Sequence, residues 1–89
     1  MTNSQNIPAG LQALLDEHHS WPTSYTFRFI VKHQDMAHVL ALVPDQAPVI
    51  TPSSKGSYLS VTWAIEMQSS DAVLSIYKSA SLIPGILAL

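Results

Sequence analysis

The 89-residue sequence contains no cysteine. A disulfide framework, a thiol nucleophile, a cysteine-ligated zinc and an iron–sulfur cluster are therefore excluded within this chain. Charge is scarce too: four Lys and Arg stand against six Asp and Glu, 11% of residues, for a net charge of -2. No basic excess exists to draw nucleic acid nonspecifically. No apolar stretch approaches the ~20 residues that span a bilayer, and the opening "MTNSQNIPAG" lacks the basic start and apolar run of a secretory signal. A soluble cytoplasmic protein is expected, with neither membrane nor nucleic acid as partner.

Against these absences, 47% of the residues are hydrophobic. A chain this apolar folds, and one this short forms a single core. So little surface charge also suggests that a partner covers part of the exterior.

Leu11, Leu14, Leu15 and His18 recur at helical spacing after Pro8, predicting a short helix over about residues 9 to 19 that packs as a flap. "WPT" stops it, since Pro22 disfavours helical geometry at Trp21. Residues 1–20 thus read as an N-terminal tail and short helix, and 21–89 as one domain. From Ser24 to Lys32, Tyr25, Phe27, Phe29 and Val31 alternate with Thr26, Arg28, Ile30 and Lys32, as in a first strand with one buried face. Met36, Val39, Leu40 and Val43 then follow the i, i+3, i+4, i+7 pattern of an amphipathic helix, with Asp35 placed to cap it and Pro44 to end it.

"APVITPSS" reads as an edge strand, because Pro48 and Pro52 cannot donate to a neighbour on both sides. "SYLSVTWAIEM" is a central strand, with Leu59, Val61, Trp63, Ile65 and Met67 on its inner face. Ser69 or Ser70 can cap a second amphipathic helix carrying Val73, Ile76, Tyr77, Ala80 and Ile83 inward, which Pro84 and Gly85 end. "ILAL" remains for a brief last strand. The order β-α-β-β-α-β behind an extra N-terminal helix is the ferredoxin-like α+β sandwich, and right-handed crossovers give an antiparallel sheet with strand order 4-1-3-2.

Between strands 2 and 3 stands "PSSKG". Gly56 supplies positive φ and the serines satisfy local backbone groups, so a tight turn explains it. A phosphate loop would need glycines before its lysine and a helix after it, whereas a strand follows here. Ser53, Ser54, Lys55 and Gly56 remain the candidate site for a small anion.

The run "PSSKGSYLSVT", together with "WPTSYTF" at residues 21 to 27, resembles the YbeD-like family of small bacterial proteins of unknown function. The resemblance covers about residues 21 to 89. It implies a ferredoxin-like fold similar to the ACT regulatory domains, and with it a regulatory or interaction module, often dimeric. The family brings no established catalytic residues to carry over; gene neighbourhood in some members suggests a link to lipoate metabolism.

Other activities on this architecture are tested by residues, since fold alone does not decide function. A metallochaperone requires paired cysteines. An RNA-recognition module requires exposed aromatics on the open sheet face, and Phe27, Phe29 and Trp63 point the other way. An acylphosphatase-like loop requires glycines and an arginine, which "VKHQDM" lacks; an ACT-type amino-acid site usually has a glycine after strand 1, where this chain has Lys32, His33, Gln34 and Asp35. His18 and His19 are adjacent, and His33 and His38 are five apart rather than four, so no metal pair is predicted.

The expectation is a non-catalytic regulatory or protein-interaction domain, ligand-sensing in one form, with no cofactor, no metal and no catalytic residue. Homodimerisation is expected through the open sheet face or the "ILAL" edge, using Arg28, Ile30, Thr62, Ala64, Ile86 and Leu87. The alternative is a small enzyme or binder that takes an anionic small molecule at Ser53 to Gly56.

Overall fold

Strand β1 (Thr23–Lys32) and strand β3 (Tyr58–Met67) pair antiparallel along their whole length, from Thr23 opposite Met67 to Lys32 opposite Tyr58. In the computed structural model, which describes residues 10–54 and 56–89, this pair forms the centre of a four-stranded antiparallel sheet. Strand β2 (Val49–Pro52) flanks β3 and strand β4 (Leu87–Ala88) flanks β1, so the order is β2-β3-β1-β4. Both proline-bearing and very short strands thus lie at edges, where missing backbone donors and few pairings are tolerated. The arrangement is α+β and compatible with a ferredoxin-like fold.

Period-two alternation decides which face is buried. Phe27, Phe29 and Val31 of β1, and Leu59, Val61, Trp63, Ile65 and Met67 of β3, point to the helices and form the core. Helix α1 (Leu11–His18) contributes Leu15, helix α2 (Met36–Leu40) contributes Val39, and helix α3 (Ser70–Ala80) contributes Val73 and Ala80. No helix of the described residues covers the opposite face of the sheet. No helix among the described residues is long and apolar enough to cross a membrane.

All three helices of the described residues differ from their sequence reading, α3 because it ends at Ala80 and leaves the buried Ile83 in the turns beyond it. The helix expected to run to Val43 ends at Leu40, because Leu42 N–H turns in to the Val39 carbonyl at 3.0 Å and tightens the last turn. Leu40, expected inside, is 38% exposed, while Leu42 packs against the core in its place beside Val43, which was expected there. The connection to β2 is then pinned by the Trp63 Nε1–H, which donates to the Gln46 carbonyl at 3.0 Å. Asp35 precedes α2 at the end of a 3-10 turn (His33–Asp35), and its side chain makes no capping bond.

In α1 the expected stripe narrows to Leu15 and the partly buried Leu11, with Leu14 53% exposed and His18 in solvent. This helix meets α3, where the Gln12 Nε2 donates to Asp71 Oδ1 at 2.6 Å, so only one edge of it is buried. The start of α3 is set by Ser69 and not Ser70: the Ser69 hydroxyl accepts from Ala72 N–H at 3.2 Å.

Candidate functional site

Three places hold the residues of interest: the turn before β3, the uncovered sheet face, and a cavity beside β4. In the turn, Ser53 N–H donates to the Tyr58 carbonyl at 2.9 Å and Gly56 N–H to the Ser53 carbonyl at 2.9 Å. The Ser53 hydroxyl accepts from Tyr58 N–H at 3.2 Å. Gly56 has φ +76°, the left-handed geometry that glycine adopts without penalty. Ser53 and Gly56 therefore spend these groups closing the hairpin, and Ser54 is exposed. Lys55 lies outside the described residues. The end of β1 comes alongside, so that Lys32, His33 and Gln34 share a depression of about 510 Å³ with Gly56, Ser57 and Tyr58.

The uncovered face holds Arg28, Ile30, Thr62, Ala64 and Leu87, since Arg28 pairs with Thr62 and Ile30 with both Ser60 and Leu87. Ile86 faces the other way, partly buried against the core. Alternation adds residues that the sequence reading did not name as contacts. Val49, opposite Thr62, is 69% exposed and Leu89, whose N–H donates to the Arg28 carbonyl, is 68% exposed. Leu87 is 57% exposed. One aromatic also stands on this face, Tyr58 at its end opposite Lys32. A finished register for "VITP" was the signal that would have found Val49.

The third place was not foreseen. Between α3, the first residue of α1 and the β1–β4 edge lies a cavity of about 520 Å³, bordered by Tyr25, Phe29, Tyr77 and the chain from Gly85 to Leu89. Inside it the Tyr25 and Tyr77 hydroxyls are 3.0 Å apart. Burial, and secondarily the hydrogen bond and the charge of Tyr25, push the Tyr77 phenol well above its ordinary range, so it stays protonated. Tyr77 also packs edge-on to Phe29, at 6.0 Å between ring centroids. Among the described residues, no three His, Asp or Glu side chains converge as a metal site would require.

The family model described as "Protein of unknown function (DUF493)" matches residues 16–89. A UPF0250 protein of Shewanella amazonensis is 30% identical over 83 residues, covering 85% of this chain and 94% of that protein. A UPF0250 protein of Shewanella halifaxensis shows the same identity and coverage. No solved structure matches the chain. The resemblance seen in "WPTSYTF" and "PSSKGSYLSVT" thus extends over the whole sheet with α2 and α3, and the chain belongs to the DUF493, or YbeD-like, family of small bacterial proteins of unknown function.

Proposed function

We propose that this protein is a non-catalytic, ACT-like interaction module of the cytoplasm that self-associates through the uncovered face of its sheet. The observation that carries this reading is the apolar set Val49, Ile30, Ala64, Leu87 and Leu89 on a face that no helix of the described residues covers, three of whose members are more than half exposed. Charge favours a second copy as the occupant. Lys32 ends the face on one side and Glu66, opposite Ser24, on the other. A two-fold axis lying across the strands reverses their direction in the partner and brings each Lys32 over a Glu66, the self-complementarity of an isologous contact. Thr62 then sits near the axis beside Arg28, whose like charges in the two copies must splay towards solvent, so the electrostatic complementarity rests on the two ends of the face.

Light scattering tests this. A dimer is expected at concentrations on the order of 100 μM, and Val49→Lys combined with Ala64→Lys should return it to a monomer, because four like charges would enter one interface. A native protein that is monomeric there overturns the reading.

The second reading, a binder or small enzyme for an anionic small molecule, is favoured by the approach of Lys32 and His33 to the turn that holds Ser53, Ser54 and Gly56. It requires that phosphate raise the melting temperature of the native protein, and that Lys32→Ala and Lys55→Ala each remove the rise. An equal phosphate response in all three proteins sinks it.

A further inference from the structure

The cavity beside β4 shares Leu87 and Leu89 with the proposed interface but is otherwise bordered by other residues, Tyr25, Phe29 and Tyr77 among them, and it carries an inference that does not depend on self-association. Among the described residues its border holds no Lys, Arg, His, Asp or Glu. A charged ligand entering it would give up hydration with no counter-charge in return, so the chemistry of the walls selects an uncharged molecule. Its volume of about 520 Å³ falls within the range of small-molecule sites, which combine mostly apolar walls with a few placed polar groups.

The polar side chains among the described residues here are Ser81, whose hydroxyl donates to the Lys78 carbonyl at 2.7 Å, and two phenols, whose protons can be counted. Tyr25 and Tyr77 carry two hydroxyl protons between them. One is used in the 3.0 Å bond that joins the two oxygens. Tyr77 does not ionise in the physiological range, because burial and the bond to Tyr25 raise it, so the second proton remains available as a donor. The walls around the pair are apolar: Phe29, Ile83 and Ile86 from the core side and Leu11 from α1. The water that fills such a space is displaced favourably by apolar groups, provided the phenol proton is given an acceptor.

We infer that this cavity is a binding site for an uncharged, largely apolar small molecule that presents one hydrogen-bond acceptor to the Tyr25–Tyr77 pair. The assignment goes beyond self-association. The residues that test each are different: Val49 and Ala64 belong to the sheet face, while Tyr77 and Ala88 border the cavity.

The probe is prodan, an uncharged naphthyl ketone whose emission shifts to the blue in apolar surroundings. Native protein should bind one equivalent per chain. Tyr77→Phe, which leaves the ring and deletes the hydroxyl, should weaken binding about fivefold, as expected for one net hydrogen bond. Ala88→Phe puts a ring at the cavity mouth on an exposed position of β4, and should weaken binding at least as much without threatening the fold. The Val49→Lys, Ala64→Lys protein should bind prodan like the native chain. The anionic dye anilinonaphthalene sulfonate should bind more weakly than prodan and respond less to Tyr77→Phe. Absence of prodan binding, binding unchanged by Ala88→Phe, or an anionic dye that binds as well and loses as much in Tyr77→Phe would each overturn the assignment.

Discussion

The Tyr25 hydroxyl lies 3.0 Å from the Tyr77 hydroxyl, tying β1 to α3 across 52 residues of sequence. Tyr25 extends the aromatic line formed with Phe27, at 4.9 Å between centroids, and Tyr77 closes over it at 5.3 Å from Phe27. The same pair supplies both a tertiary tie and the polar element of the cavity.

The raised phenol makes stability depend on alkaline pH. Tyr77 in the unfolded chain ionises near the usual value of about 10, whereas in the folded protein it holds its proton to higher pH. Above pH ~10 the folded state therefore binds more protons than the unfolded one, and stability falls as pH rises. Below pH ~10 the contribution is fully present. Urea midpoints at pH 9 and pH 11 should fall more steeply for the native protein than for Tyr77→Phe, and equal slopes would show that the phenol is not held neutral.

Phe29 and Trp63 stand on the inner faces of the two central strands, 0% and 2% exposed. Truncation of either to alanine should cost roughly 3 to 5 kcal/mol, enough to unfold much of a domain this size at 25 °C. Trp63→Phe isolates the hydrogen bond from its indole to the Gln46 carbonyl, and should cost less than Trp63→Ala. Denaturant titration followed by far-ultraviolet circular dichroism reads both.

Ser69 caps α3 through its bond from Ala72 N–H. Ser69→Ala should lower stability by about 1 kcal/mol, and Ser69→Asp should retain most of it because an aspartate both accepts that bond and faces the positive end of the helix. Ser70→Ala should not mimic the loss, since the Ser70 side chain is not the cap. A larger loss at Ser70 would move the helix start by one residue.

At Gly56 a Cβ would meet nothing within 4 Å, yet the backbone has φ +76°. Gly56→Ala should therefore cost roughly 1 kcal/mol from backbone geometry alone, and Gly56→Asn less, because asparagine tolerates the left-handed region. Should the alanine variant be as stable as the native protein, the turn has another conformation open to it.

The two central strands were legible because alternation over ten residues leaves only one way to bury Phe27, Phe29, Val61 and Trp63 together. The edge positions of "VITP" and "LA" followed from proline chemistry and brevity, while the cap was narrowed to Ser69 or Ser70 and only the structure selected Ser69. The short α2 was less legible, since Leu40, Leu42 and Val43 are all apolar and nothing local says which of them the last turn will bury. For the candidate sites, period two assigned Arg28, Ile30, Thr62 and Ala64 to the uncovered face, but only the β4 register decided that Leu87 and not Ile86 joins them.

Local pattern and backbone chemistry, then, determined the elements, the buried face and the turn at Gly56, because each depends on a few neighbouring residues. Tertiary structure alone decided which distant groups meet. The juxtaposition of Tyr25 and Tyr77, the approach of Lys32 to the turn before β3, and the uncharged cavity beside β4 all arise from chain segments that sequence spacing does not relate. They exist because β1 lies between β3 and β4 while α3 packs across them, a relation set by burial of the whole core.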